Sequence, residues 1–252
     1  MPLHLSQPAR HVALLTLDNQ AKRNAMSRAM MGELADTWER LAAADDCRCI
    51  VVTGAGDKGF CAGADIGGDL SASVETASMT NRSLLKTIAY PKPIVAAVNG
   101  DCAGGGVELL LASDIRIAAE HARFGLPEVK WSIYPFGGAT EKLVRQIGYV
   151  HAMDLILTGR LIDAPAAQAI NLVNRVLPAA DVLDDAIATA CAIAANSPSA
   201  VRAVKTRISE EIAAHALKWE DLDQRLGDEV RAGADFAEGV AAFREKRQAD
   251  YG

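Results

Sequence analysis

The sequence predicts an α/β fold with a helical C-terminal region, and three observations carry that expectation. Short apolar runs such as Cys49-Ile50-Val51-Val52-Thr53 and Ile94-Val95-Ala96-Ala97-Val98 have the character of strands covered on both faces. They alternate with segments whose apolar residues recur at helical spacing, as in a largely parallel sheet flanked by helices. From residue 180 onward the strand signals disappear and Ala-rich helical sequence takes over.

Taken in order, residues 11–17 (His11-Val12-Ala13-Leu14-Leu15-Thr16-Leu17) form the first strand. Ser27 then offers an N-cap to a helix carrying Met31, Leu34, Ala35, Trp38 and Leu41 on one face. The runs at 49–53 and 94–98 are the next strands. The second of them passes through Asn99-Gly100-Asp101-Cys102-Ala103-Gly104-Gly105-Gly106-Val107-Glu108 into a helix with an acid in its first turn. Pro127 is placed to start another helix, with Glu128 beside it. The C-terminal helices are expected to break at Ser197-Pro198, around Gly227 and around Gly233, with the last helix over residues 235–247. This divides the chain into a core, residues 1–195, and a helical region, residues 196–252, that packs on its own core or on a sister subunit.

With 252 residues, half of them hydrophobic, the chain can bury a full core, which excludes disorder and small disulfide scaffolds. A net charge of −6 supplies no overall attraction to nucleic acid or anionic membrane. No apolar segment approaches the ~18 residues that span a bilayer, and residues 1–11 lack a basic region followed by an apolar run. The expectation is a cytoplasmic protein. Of its five cysteines, Cys47 and Cys49 stand too close for the usual zinc pair and no histidines cluster near them, so reduced packing thiols are expected and no metal.

Gly54-Ala55-Gly56-Asp57-Lys58-Gly59 matches GxGxxG after a strand, which raises a dinucleotide-binding reading. That fingerprint must open a helix. The next residues, Phe60-Cys61-Ala62-Gly63-Ala64-Asp65-Ile66-Gly67-Gly68, hold three more glycines in nine positions, too many for a helix interior. A turn between a strand and the next element fits better.

Two glycine-bearing turns, Cys61-Ala62-Gly63-Ala64-Asp65 and Ala103-Gly104-Gly105-Gly106-Val107-Glu108, each follow a buried strand and should emerge at one sheet edge. Their backbone N–H groups could converge on one oxygen and form an oxyanion hole, which points to an enolate or a tetrahedral anion. Glu108 lies among apolar neighbours, and burial raises a carboxyl pKa toward the range useful for proton transfer. It could equally serve the helix dipole, and Glu128 could be an ordinary first-turn acid. No GxSxG elbow is present and the five histidines are scattered, which argues against covalent serine or cysteine catalysis.

These residues resemble the crotonase family, the enoyl-CoA hydratases and isomerases, across nearly the whole chain. The resemblance is carried by Lys22-Arg23-Asn24-Ala25-Met26, the 60–66 turn, the 99–108 segment with Ala112-Ser113-Asp114-Ile115-Arg116, and Phe124-Gly125-Leu126-Pro127-Glu128. Leu157-Thr158-Gly159-Arg160, Glu238-Gly239 and Ala242-Phe243-Arg244-Glu245-Lys246-Arg247 extend it to the C-terminus. It implies a spiral of ββα repeats followed by trimerisation helices, assembled as a homotrimer or as a hexamer of two trimers. It also implies hydration of a 2-enoyl-CoA, as in fatty acid β-oxidation, with coenzyme A entering as part of the substrate and no separate cofactor.

By position, the resemblance assigns the oxyanion donors to Ala64 and Gly105 and the catalytic pair to Glu108 and Glu128. Lys22, Arg23, Ala62, Asp65, Ile66 and Phe136 are assigned to substrate binding. The sequence departs from the family at Gln20-Ala21, where many members have proline, and at Pro135-Phe136-Gly137-Gly138-Ala139-Thr140, where typical hydratases read Pro-Gly-x-Gly-Gly-Thr. Phe136 therefore bears on the acyl group accepted and on the reaction itself. Double-bond isomerisation or a specialised dehydration stand as alternatives, with a non-catalytic RNA-binding relative further off.

Overall fold

A computed structural model describes residues 2–66, 71 and 73–252, so Gly67 and Gly68 of the glycine-rich run lie outside the described residues. In chain order the strands are β1 (Leu3–Ala9), β2 (Val12–Leu17), β3 (Cys49–Gly54), β4 (Gly59–Cys61), β5 (Ile94–Val98), β6 (Asp101–Ala103), β7 (Ile115–Ala119), β8 (Arg123–Gly125), β9 (Leu161–Asp163) and β10 (Arg175–Leu177). The helices are α1 (Arg28–Ala43), α2 (Val74–Ser83), α3 (Gly105–Leu110), α4 (Ala139–Ile147), α5 (Tyr149–Thr158), α6 (Ala164–Ala169), α7 (Val182–Ala195), α8 (Pro198–Ala232) and α9 (Ala234–Glu245), and a 3₁₀ helix spans Pro127–Trp131.

The apolar runs become the inner strands of a six-stranded sheet ordered β1-β2-β3-β5-β7-β10. β3 and β5 are buried at every residue and run parallel, with Ile50 opposite Ile94 and Val51 opposite Val95. Helix α7 packs across β3, β5 and β7. At the start of α1 the Ser27 side chain accepts the Met30 N–H at 3.2 Å, and Met31, Leu34, Ala35, Trp38 and Leu41 are all buried. Trp38 also donates its indole N–H to the Ser83 carbonyl at 2.9 Å, which ties α1 to the end of α2.

A second sheet, β4-β6-β8-β9, corrects one expectation. The glycine turns do not leave the large sheet directly. β3 is followed by β4, β5 by β6 and β7 by β8, so each pair sends its first strand to the large sheet and its second to the small one. A helix follows each pair, and this is the repeating strand–strand–helix spiral that the resemblance implies. β4, β6 and β8 have three residues each, too few to show a period of two in sequence. The GxGxxG segment runs from the end of β3 through a turn into β4 and opens no helix.

The expected break at Gly227 is also corrected. Helix α8 runs unbroken for 35 residues, capped by Ser197 and ended at Gly233. Gly227 is buried in it, and a β-carbon there would meet Tyr134 Cδ1 at 3.8 Å, so the site has room for a methyl group. Tertiary packing outweighs the cost of one glycine in a helix, about 1 kcal/mol. Because 3.8 Å is an ordinary contact, Gly227→Ala should stabilise the protein by roughly 0.5–1 kcal/mol in denaturant unfolding, with unchanged far-ultraviolet circular dichroism.

Candidate active site

The turn after β4 is held by the segment that follows β2. Met26 N–H donates to Gly63 O at 2.7 Å, Asp65 N–H to Met26 O at 3.0 Å and Ala62 N–H to Arg23 O at 3.0 Å. The fully buried Asn24 donates its amide to Gly59 O at 2.7 Å and to Ala55 O at 3.0 Å, fastening both ends of β4's approach. Gly63 adopts φ +97°, and a β-carbon on it would lie 3.0 Å from Ala103 O and 3.2 Å from Gly105 N. The two glycine turns therefore lie backbone against backbone. Among the described residues, neither the Ala64 N–H nor the Gly105 N–H meets a protein acceptor.

Each glycine of the triple has a separate reason. Gly104 has φ +55°, a conformation that side chains resist, and Gly105 brings its N–H to the junction. A β-carbon on Gly106 would collide with the Cys61 carbonyl, so its absence lets α3 seat directly on β4.

Helix α3 is buried from Gly106 to Leu110, and Glu108 is only 4% exposed. Its Oε1 accepts the Ala139 N–H at the start of α4 at 3.2 Å. A β-carbon at Gly137 would collide with Glu108 Oε2 and Leu84, so the loop before α4 needs glycine there to make room for the carboxylate. Glu128 comes from the 3₁₀ helix, where its carbonyl accepts the Ile133 N–H at 3.0 Å and, through the left-handed Ser132, a second cap bond. Its Oε1 would lie 3.0 Å from a β-carbon on Gly104, and its Oε2 is buried without a hydrogen-bond partner. Helix α9 braces this region from outside. Tyr251 donates to Lys130 O at 2.8 Å, and the Trp131 and Phe243 rings meet edge-on at 5.3 Å.

Burial raises the pKa of both carboxyl groups well above the ordinary value of 4.5. For Glu108 the Ala139 and Gly137 N–H groups and the charges of Lys86 and Lys142 oppose that rise. For Glu128 the charge of Glu108 adds to it. Burial thus favours the protonated form at both acids, and the opposing N–H groups and lysine charges weaken that preference at Glu108.

The assigned substrate-binding residues divide into two groups. Lys22 and Arg23 are about half exposed, and each already has a carboxylate partner, Asp65 at 2.6 Å and Asp101 at 3.1 Å, the latter shared with Arg123 at 2.7 Å. Ala62, Asp65 and Ile66 are partly buried in the turn beside them. Phe136 is elsewhere, its ring beneath the Lys86 ammonium at 4.1 Å, and it is Gly137 that meets the Glu108 carboxylate.

Sequence reasoning missed Lys86, which is fully buried and paired with Glu220 and Asp223 of α8 at 2.8 Å each. A lone lysine after Leu84-Leu85 gives no local signal, since its partners lie 134 and 137 positions away in the chain. The cysteines are free, no His, Cys, Asp and Glu group among the described residues could hold a metal ion, and no described helix is long and apolar enough to cross a membrane.

The enoyl-CoA hydratase/isomerase family model matches residues 8–252. An enoyl-CoA hydratase of Mycobacterium tuberculosis, EchA19, is 39% identical over 96% of this chain and 93% of its own length. A 2,3-dehydroadipyl-CoA hydratase of Escherichia coli is 37% identical over 95% of this chain and 94% of its own length. Among solved structures, a carnitinyl-CoA hydratase from Mycobacterium avium superposes with a TM-score of 0.89 at 37% identity, covering 99% of this chain and 98% of that one.

Burying two carboxyl groups with raised pKa costs stability in a defined pH window. The folded protein binds their protons more tightly than the unfolded chain, so stability falls as pH rises from about 4.5 through the raised folded values. The double variant Glu108→Gln with Glu128→Gln should therefore exceed the wild type by about 1–3 kcal/mol in urea unfolding at pH 8. At pH 4.5 the difference should shrink toward zero; equal gains at both pH values would show that the carboxyl groups are not destabilised by burial.

Proposed function

The chain belongs to the enoyl-CoA hydratase/isomerase family and is an enoyl-CoA hydratase, and on that premise we propose that Glu108 and Glu128 together add water across the 2,3 double bond of a 2-enoyl-CoA. The observation that carries these roles is the unequal setting of the two acids. Glu108 is held by a backbone N–H and faces two lysines, which suits a carboxylate base, whereas Glu128 has an unpartnered buried oxygen, which suits a protonated acid.

In this reading the substrate thioester oxygen rests between the Ala64 and Gly105 N–H groups. Glu108 takes a proton from water as its oxygen bonds to C3. The π electrons of the double bond move onto the thioester oxygen, where the two N–H groups stabilise the developing enolate charge. As the carbonyl reforms, C2 takes the Glu128 proton, on the same face as the new hydroxyl. Glu108 ends protonated and Glu128 ionised, and a proton exchange restores the pair.

Lys22 and Arg23 supply charge for the phosphates of coenzyme A at the exposed mouth, a modest contribution because each already faces a carboxylate. The exposed apolar residues Tyr149, Val150, Leu157 and Leu161 support the trimeric association that the resemblance implies.

Loss of the conjugated thioester absorbance with crotonyl-CoA tests the assignment. Wild type should hydrate it with incorporation of solvent oxygen, and Glu108→Gln and Glu128→Gln should each lower kcat by roughly 10²–10⁴. Binding without hydration, or full rate in both variants, would overturn the roles. Migration of a 3-enoyl double bond without solvent oxygen would assign an isomerase instead.

A further inference from the structure

Lys86 is a fully buried cation to which the proposed chemistry gives no part beyond its charge. Removing an ammonium from water is costly unless it is paired, and here two carboxylates flank it. Asp223 Oδ2 and Glu220 Oε2 lie 2.8 Å from its Nζ. Asp223 also accepts the Tyr134 hydroxyl at 2.6 Å, and Glu220 the Asn81 amide at 2.6 Å. A tether between α8 and the core would need no more than that.

The surroundings point to more than a tether. The ammonium sits 4.1 Å over the Phe136 ring, and the side-chain stem passes Gly138, where a β-carbon would lie 3.3 Å from Lys86 Cγ. Phe136 and Gly138 flank Gly137, and Ala139 follows. Gly137 and Ala139 are the residues that meet the Glu108 carboxylate. Lys142 closes the other side of the same loop, donating to Leu85 O at 2.7 Å.

We propose that Lys86 is a positioning residue for the acid pair: clamped by Asp223 and Glu220 and seated on Phe136, it holds the 136–139 segment and a positive charge behind the Glu108 carboxylate. This rests on the hydratase reading above. The titratable groups that face Glu108 are Lys86 from the segment after α2, Lys142 from α4, its pKa lowered by burial to about 7, and Glu128 from the 3₁₀ helix. Behind them stand Glu141 of α4 and Asp223, Glu220 and Lys205 of α8. Loss of the Lys86 charge disfavours ionised Glu108. Loss of the Asp223 charge does the reverse, because it leaves the ammonium less neutralised.

The test follows the Glu108 carboxyl by carbon-13 NMR across pH, assigned with Glu108→Gln, together with the pH profile of kcat on crotonyl-CoA. In Lys86→Met the Glu108 midpoint and the acidic limb of kcat should move up together by about half to one pH unit, with KM changed less than about twofold. Lys86→Arg should keep the wild-type midpoint, and Asp223→Asn should shift it downward. An unmoved midpoint with a lower kcat in Lys86→Met would reduce Lys86 to a tether and overturn the proposal. If that variant does not fold, an unmoved or raised midpoint in Asp223→Asn overturns it equally. A wild type that fails to hydrate crotonyl-CoA while the midpoints still move would remove the hydratase reading and leave the positioning role standing.

Discussion

The structure depends on one close approach of bare backbone, where the turn after β4 meets the turn that opens α3. Gly63 lies against Ala103 O and Gly105 N, and Gly106 lies against the Cys61 carbonyl, distances that leave no room for β-carbons. Everything that gives the site its chemistry is measured from that contact. It brings the Ala64 and Gly105 N–H groups to one place, sets the direction of α3 and hence the placement of Glu108, and leaves Gly104 flat enough for the Glu128 carboxyl to lie beside it.

The second sheet exists to make that contact possible. Three parallel three-residue strands carry the turns away from the large sheet and stack them side by side, with β4 against β6 across a register shift between Gly59 and Cys61, and β6 against β8. A strand of the large sheet followed directly by a turn would place the glycines at successive positions along a flat edge. Routing each turn through the small sheet lets Gly63, Gly104 and the start of the 3₁₀ helix converge. The inner strands β3 and β5 of the large sheet, buried on both faces, supply the rigidity that holds them there.

Around this centre the charges are arranged unequally. Two buried carboxyl groups in one site repel one another, and the protein sets them apart by giving Glu108 the Ala139 N–H and the nearby lysines, and Glu128 only its own backbone N–H. The buried ions behind Glu108 link this asymmetry to α8, since Asp223 of that helix pairs with Lys86 and accepts the Tyr134 hydroxyl. Contacts of α8 with the core, among them the Tyr134 hydroxyl on Asp223 and the Asp223 and Glu220 pairs with Lys86, hold the helix continuous across Gly227.

What the sequence determined by itself is local and periodic. β3, β5 and the buried face of α1 follow from runs long enough to show a pattern, and Ser27 caps α1 as its chemistry dictates. The glycine triple followed by an acid marks a backbone junction and Glu108 because both signals sit within one turn of chain. The tertiary structure alone decided what depends on distant residues: the small sheet, whose strands are too short to carry a period, and the continuity of α8, where packing outweighs glycine's cost. It alone also decided the company of Glu108 and of Lys86. Lys86 meets Asp223 across 137 positions of sequence, and no spacing along a chain encodes a contact that only folding creates. Phe136 shows the same division: its departure from the family pattern is plain in sequence, but its place beneath the Lys86 ammonium is not.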